Sequence, residues 1–222
     1  MHSALEQLNI IKNKVNDIVE QKQLKIHPEI IVVTKTFSLD RIITLLDDGH
    51  SHFGENKIQE AEQKWNNQNE KYRNLKLHMI GKLQSNKAKK AVMLFDYIHS
   101  LDNEKLAIKI SQYQKELKKK IKLFIQVNIA DEKQKSGIFL DHLPDFYNYC
   151  SKELSLDIVG LMCLPPMNSD TEKYFKLLKK AADTLNLKEL SMGMSDDFEK
   201  AIINGSTFLR LGTVILGERK TI

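Results

Sequence analysis

The stretch IIVVTK at residues 30–35 is an unbroken run of β-branched residues that ends on a lysine. Such a run is typical of a strand buried on both faces of a parallel sheet. The stretch KLFIQVNI at residues 122–129 is rich in apolar and β-branched residues and is the strongest strand prediction in the sequence. Around these two runs, short β-rich segments alternate with longer segments that have helical spacing. This alternation predicts repeated β–α units and a parallel sheet.

The pattern yields eight strands, each followed by a helix or a terminal turn. The predicted strands are residues 30–34, 52–53, 76–80, 97–100, 122–129, 156–161, 189–192 and 207–211. The predicted helices are residues 3–24, 39–46, 56–71, 85–93, 103–119, 140–151, 171–185 and 197–204. Eight such units predict a single α/β domain over residues 1–222, a (β/α)8 TIM barrel with an extra N-terminal helix. The alternative is an open doubly wound sheet, but no G-x-G-x-x-G follows any predicted strand.

The composition excludes several protein classes. The 222 residues are 41% hydrophobic and 28% charged, which excludes a disordered chain or a disulfide framework. Cys150 and Cys163 fit a reducing cytoplasm, where neither needs a partner. The N-terminus lacks the pattern of a signal peptide, and no apolar run approaches the roughly 20 residues of a membrane span. We therefore expect a cytoplasmic protein that does not enter a membrane.

The net charge of +5 is concentrated in two basic runs, residues 82–90 and 109–122. A basic patch could meet nucleic acid, but neither run is interleaved with aromatic residues that would stack on bases. We interpret both runs as solvated helix faces and expect no nucleic-acid partner.

Lys35 follows the predicted first strand directly, at the end of the barrel where active sites form. Burial there would depress the pKa of the lysine, and the neutral amine could attack an aldehyde. The alternative is a lysine whose side chain merely reaches from the strand end to water.

Two segments near the C-terminus have the composition of a phosphate site. In SMGMSDD at residues 191–197, Gly193 frees the backbone and Ser195 or Asp196 could cap the next helix. In RLGT at residues 210–213, Gly212 and Thr213 could add an amide and a hydroxyl. Loops after strands seven and eight commonly bind phosphate in such barrels. Together with Lys35 they indicate a phosphorylated aldehyde, although each segment alone could be ordinary turn chemistry.

Other candidate groups carry weaker signals. His50 and His52 invite a metal site, but no second ligand cluster at fixed spacing supports one, so we expect no metal. Glu55 is expected to be an exposed carboxylate at the rim, and His78 a structural histidine. Cys163 is expected to be a buried apolar cysteine.

Six motifs carry a family resemblance, in the right order, over a match from about residue 28 to residue 217. They are VTKT at 33–36, FGEN at 53–56, HMIGKLQSNK at 78–87, GLM at 160–162, SMGMSDD at 191–197 and RLGT at 210–213. The chain resembles the pyridoxal phosphate homeostasis proteins, the single-domain relatives of the alanine racemase N-terminal barrel. One departure is Phe37-Ser38, where the family often has Lys-Pro or a similar pair.

The resemblance implies pyridoxal 5′-phosphate (PLP) as the cofactor and gives each site residue a role. Lys35 would hold PLP as a Schiff base, and Arg210 would face the pyridine nitrogen. The phosphate would be held by Ser195, Gly212 and Thr213, and Asn56 would line the pocket. An arginine cannot hand a proton to the ring nitrogen, so the ring would be a weak electron sink.

The resemblance implies a PLP-binding protein that carries or buffers the cofactor in vitamin B6 homeostasis, without significant catalysis. The alternative is a PLP-dependent amino-acid racemase, which needs a second acid or base on the opposite cofactor face. In alanine racemase a second domain of the partner subunit supplies that group, and this sequence ends soon after the last predicted strand. A Schiff-base aldolase is a further alternative. We expect a monomer, with PLP-dependent apo-enzymes as candidate partners.

Overall fold

Eight parallel strands form a closed barrel in the computed structural model, which describes residues 3–218 except 67, 133 and 168. Each strand pairs with the next in the sequence, and the last pairs with the first, Ile31 lying opposite Arg210. The predicted (β/α)8 barrel is confirmed. The strands are β1 Glu29–Val33, β2 His52–Glu55, β3 Lys76–Met79, β4 Tyr97–Leu101, β5 Lys122–Val127, β6 Ile158–Cys163, β7 Glu189–Ser191 and β8 Phe208–Leu211.

Helices cover the outside of the barrel. They are α1 Ala4–Gln21, α2 Ile43–Asp47, α3 Ile58–Trp65, α4 Gln68–Lys71, α5 Ala88–Leu94, α6 Glu104–Leu117, α7 Leu143–Asn148, α8 Thr171–Thr184, α9 Phe198–Ile203 and α10 Thr213–Leu216. The extra N-terminal helix is confirmed as α1, which begins with a capping box between Ser3 and Glu6 and packs against α2, α9 and α10. Short 3₁₀ turns precede α2, α5 and α7, and a π turn follows α7.

Three local predictions were wrong. Ser38 makes no side-chain cap, and a 3₁₀ turn precedes α2 where one helix was expected. The predicted helix 56–71 is divided into α3 and α4, and Asn67 within it lies outside the described residues. Neither Ser195 nor Asp196 caps α9, because a turn extends to Asp197, whose carboxylate accepts from the Met194 N–H at 2.7 Å.

The apolar core lies mainly between the barrel and its helices, with a small second cluster inside the barrel. Ile31, Phe124, Met162 and Phe208 form this inner cluster, and Tyr97 packs against it. Tyr97 and Phe208 begin their strands, so the rings fill the barrel toward its amino end. The carboxyl end is left open for a cavity.

The surface around the basic runs is helical, as the sequence predicts. Lys89 of α5 pairs with Glu116 of α6, and Lys90 pairs with Glu62 of α3. Across the described ranges, no helix is both long and apolar enough to cross a membrane.

Candidate functional site

A cavity of about 660 Å³ opens at the carboxyl ends of the strands. All six predicted site residues line it: Lys35, Asn56, Ser195, Arg210, Gly212 and Thr213. They come from the ends of β1, β2, β7 and β8 or from the loops that follow, so the closed barrel brings together positions up to 178 residues apart in sequence. The volume lies within the range of about 300–1,000 Å³ that small-molecule sites occupy.

The backbone on both sides of Lys35 is held by side chains of α3. The carbonyl of Thr34 accepts from the ammonium of Lys64 at 2.6 Å, and the N–H of Thr36 donates to Glu60. Thr36 has a φ of 69°, which is rare for a β-branched residue and requires such support. Lys35 itself is partly buried. The geometry therefore fixes the direction in which this lysine leaves the strand.

Glu55 was expected at the exposed rim, and this prediction was wrong. The residue is fully buried, and its Oε1 accepts from Thr34 Oγ1 at 2.6 Å, Lys64 Nζ at 2.7 Å and Trp65 Nε1 at 3.0 Å. Lys64 and Trp65 end α3, which packs over β2 and covers this carboxylate. The one sequence signal for the burial of Glu55 was the pair Lys64-Trp65, nine and ten residues after it.

Asn56 is placed by the close approach of another strand end. A Cβ on Gly81, just after β3, would overlap the backbone oxygen of Asn56, so only glycine fits there. Within the described structure, the buried Oδ1 of Asn56 has no hydrogen-bond donor. A buried acceptor without a partner costs free energy, so a ligand donor in the cavity would be stabilising here.

Arg210 brings a buried positive charge to the floor of the cavity. Its Nη1 donates to Ser191 Oγ at 2.7 Å, and its Nη2 donates to the carbonyl of Cys163 at 2.9 Å. Burial lowers the pKa of Arg210, and Cys163 and Asp197 oppose that shift. No carboxylate in the described part of the chain lies within ion-pair distance of the guanidinium. The charge is therefore suited to an anionic or electron-rich ligand.

The two predicted phosphate segments meet at the same side of the cavity. Gly193 has a φ of 91°, and a Cβ there would lie 2.6 Å from that of Ala201, so this turn requires glycine. Ser195 Oγ accepts from the N–H of Val214 at 3.4 Å, which places the first segment beside Gly212 and Thr213. Hydroxyls and backbone from both segments therefore face one region.

Sequence reasoning assigned no function to the loop after β5, and the structure places this loop at the cavity. Gln126, Asn128, Lys135 and Ser136 line the cavity, with Lys82 after β3. Asn128 Nδ2 donates to the carbonyl of Glu132 at 2.8 Å, which orders the loop. Lys133 lies outside the described residues. The only sequence signal for this part of the cavity was the position of the loop directly after a strongly predicted strand.

The remaining candidate groups, His50, His52, His78 and Cys163, are buried or partly buried. Burial lowers the pKa of His50 to about 4 and raises that of the Cys163 thiol to about 12. Cys163 is thus the buried, unreactive cysteine that was predicted. In the described ranges, no group of three His, Cys, Asp or Glu residues is arranged to hold a metal ion.

Residues 7–220 match the family model described as alanine racemase, N-terminal domain. A pyridoxal phosphate homeostasis protein of Pasteurella multocida is 34% identical over 220 residues, or 94% of each chain. The chain belongs to the pyridoxal phosphate homeostasis protein family. A Synechocystis member of this family is 37% identical over 199 residues, covering 86% of this chain and 91% of its own. The resemblance read from the six motifs is confirmed.

Solved structures agree with this assignment. PipY of Synechococcus elongatus, solved with PLP bound, has a TM-score of 0.79 and 32% identity, covering 91% of this chain and all of its own. The structure of PipY without PLP has a TM-score of 0.81. An alanine racemase of Clostridium difficile has a TM-score of 0.67 at 12% identity and shows the shared fold alone; this chain spans 57% of its length.

Proposed function

We propose that this protein binds PLP at the carboxyl end of its barrel and carries or buffers it in intracellular vitamin B6 homeostasis, without significant catalysis. One observation carries the proposal: Lys35 and Arg210 line a single cavity together with Ser195, Gly212 and Thr213. Support comes from the curated relatives, which are named pyridoxal phosphate homeostasis proteins, and from PipY, a 32% identical protein solved with PLP bound.

The residues present fit this cofactor. Lys35 would bind the aldehyde covalently, Arg210 would face the ring nitrogen, and the unpaired Asn56 Oδ1 would accept from a polar ring substituent. The phosphate would be held by Ser195, Gly212 and Thr213. When bound, PLP supplies an aldehyde for primary amines and an electron-withdrawing ring.

The absence of significant catalysis rests on two features. Arg210 donates two hydrogen bonds into the protein and cannot act as a proton donor at neutral pH, so the ring would remain a weak electron sink. The described residues that line the cavity include no tyrosine, histidine or cysteine. Its other ionisable groups, Lys82, Lys135 and Asp196, are exposed. A racemase would need one of them as its second acid or base.

The proposal also includes the cellular location, oligomeric state and partners of the protein. We place it in the cytoplasm as a monomer, with residues 1–222 forming one PLP-binding domain and with PLP-dependent apo-enzymes as recipients. Ion pairs of Lys89 and Lys90 with neighbouring glutamates reduce the local excess charge, which is consistent with no nucleic-acid partner.

The test is to load the purified protein with PLP, reduce it with borohydride and map the labelled peptide. We expect the label on Lys35, and no stable label in Lys35→Ala, whose far-ultraviolet circular dichroism should match wild type. Lys135→Ala, which also removes a cavity lysine, is the control and should be labelled normally. A protein that takes up no PLP, or that is labelled elsewhere, refutes the binding proposal. Amino-acid racemisation well above that of free PLP refutes the non-catalytic part.

A further inference from the structure

A chain of hydrogen bonds crosses the interior of the barrel and ends on Arg210. His52 Nδ1 lies 2.9 Å from His78 Nε2, and His78 Nδ1 lies 2.9 Å from His99 Nε2. His99 Nδ1 is then 2.8 Å from Ser191 Oγ, which accepts from Arg210 at 2.7 Å. We call His52, His78, His99 and Ser191 the histidine chain. Its members come from β2, β3, β4 and β7, so only barrel closure assembles it.

The histidine chain connects two environments. His78 and His99 are fully buried, and their rings stack on Tyr97 and Phe124 with centroids 4.3 Å apart in each pair. The outer residue, His52, begins β2 and lies 3.9 Å from the exposed carboxylate of Glu29. Glu29 also lines a concavity of about 600 Å³, which lets water approach this end. The inner end is the guanidinium in the cofactor cavity.

Hydrogen-bonding capacity fixes the direction of the chain. Arginine only donates, so Ser191 Oγ must accept from Arg210 and can give its own proton to His99 Nδ1. His99 then donates from Nε2 to His78, and His78 donates from Nε2 to His52. The opposite direction would leave the hydroxyl proton of Ser191 without an acceptor among the described residues. All three imidazoles are therefore assigned as neutral Nε2–H tautomers.

This direction has an electrostatic consequence for Arg210. Each ring turns its unprotonated nitrogen toward the guanidinium, so the aligned dipoles stabilise a buried cation that has no carboxylate partner in the described structure. Burial lowers the pKa of both His78 and His99 well below the ordinary value, which keeps both rings neutral. The chain thus replaces the water that would otherwise solvate the charge.

We propose that the histidine chain positions Arg210 and stabilises its charge for the bound cofactor, and couples PLP affinity to protonation of His52 at the opposite end of the barrel. The inference rests on the proposed PLP function. A proton taken by His52 from water gives that ring two N–H groups, and its Nδ1–H then opposes the Nε2–H of His78. To remove this clash between two N–H groups, His78 and His99 must both change from the Nε2–H to the Nδ1–H tautomer. The positive ends of their dipoles then point toward Arg210.

The groups around His52 determine the pH range in which this coupling acts. Burial lowers its pKa below the ordinary 6.5, Glu29 and Asp96 oppose the shift, and Lys76 adds to it. The other groups that face His52 are His50, His78, Tyr97 and Phe208. Protonation therefore occurs below pH 6.5, and PLP affinity should fall there. By reciprocity, bound PLP should lower the pKa of His52 further.

The first test is nuclear magnetic resonance of the histidine-¹⁵N-labelled protein without cofactor. We expect Nε2–H tautomers at His78 and His99 at pH 8, and a resolved titration of His52 below pH 6.5. Protonated inner rings or Nδ1–H tautomers at pH 8 would overturn the inference. Because this measurement uses wild-type protein and no PLP, it does not depend on the proposed function or on the folding of a variant.

The second test compares PLP dissociation constants at pH 8 and at one pH unit below the His52 pKa that the first test measures. His52→Asn keeps an acceptor for His78 but does not titrate, so the readout is the change of its PLP affinity with pH, which should be smaller than that of wild type. Over this interval wild type should lose up to about tenfold more affinity than His52→Asn, which is the limit that titration of one group over one pH unit allows. Exposed His142→Gln is the control and should follow wild type. Identical pH profiles for wild type and His52→Asn refute the coupling, whereas a protein that binds no PLP refutes the proposed function instead.

Discussion

Replacing Lys64 with methionine tests the buried hydrogen-bond network beside Lys35, the lysine proposed to bind the cofactor. The Lys64 side chain is 6% exposed and the Glu55 side chain 0%, with 2.7 Å between Nζ and Oε1. Methionine preserves most of the aliphatic packing but removes the ammonium. The Glu55 carboxylate then keeps only the Thr34 hydroxyl and the Trp65 indole as donors, and the carbonyl of Thr34 loses its bond from Lys64.

The expected loss is large because one member of a buried ion pair remains charged. Removal of one partner of such a pair costs about 3–5 kcal/mol of unfolding free energy. For a chain of this size, that corresponds to a melting temperature lower by about 6–20 °C. PLP affinity should also fall at temperatures where the variant is folded, because Thr34 immediately precedes Lys35.

Chemical denaturation, calorimetry and PLP titration measure these effects. Lys90→Met is the matched control, since Lys90 also pairs with a glutamate of α3 but lies exposed, and its melting temperature should match wild type. The double variant Glu55→Gln/Lys64→Met should recover at least half of the loss, because no charge remains at the fully buried position 55, although Glu60, which is partly exposed, still loses its pair with Lys64. A Lys64→Met protein within about 1 kcal/mol of wild type, or a double variant no more stable than the single one, refutes the reasoning.

Two further predictions follow from the site and the barrel interior. Gly81→Ala should weaken PLP binding and lower the melting temperature, because its Cβ would displace the backbone of Asn56. Gly49→Ala is the control: its Cβ would meet no atom within 4 Å, but its φ of 89° is strained for alanine, so it should lower the melting temperature without weakening PLP binding. Unchanged PLP affinity in Gly81→Ala would contradict the placement of Asn56. Stability should also fall as pH drops from 6.5 toward 4, because the pKa values of His50, His78 and His99 are lowered in the folded protein and the unfolded chain binds protons first. Each of these histidines adds up to about 1.4 kcal/mol per pH unit to the change of unfolding free energy with pH. Denaturation of His99→Gln should therefore show a smaller change of unfolding free energy per pH unit than wild type. An equal change would contradict the burial of His99 as a neutral ring.

The sequence by itself determined the order of the elements and which residues of the proposed cofactor site meet in one cavity. Strand and helix periodicities reflect neighbours along the chain, so eight β–α units could be read locally and the closed barrel inferred from their number. Lys35 and Arg210 could be placed because the carboxyl ends of parallel strands share one rim. The exact first residues of α2 and α9 could not be predicted, because loop geometry outweighed the capping preferences of Ser38 and Ser195.

Only the tertiary structure decided which polar residues are buried and what they contact. From the sequence, Glu55 was expected to be an exposed carboxylate at the rim, but in the fold α3 covers it. The residues next to Glu55 in the sequence do not show whether its ion pair with Lys64 is buried or exposed. The contact between His99 and Ser191 joins residues 92 positions apart. Burial and hydrogen bonding depend on which elements the closed barrel brings together, and the spacing of residues along one strand does not encode this. The sequence therefore indicated a lysine and an arginine for the proposed cofactor site, and the fold added the hydrogen bonds that hold both residues in place.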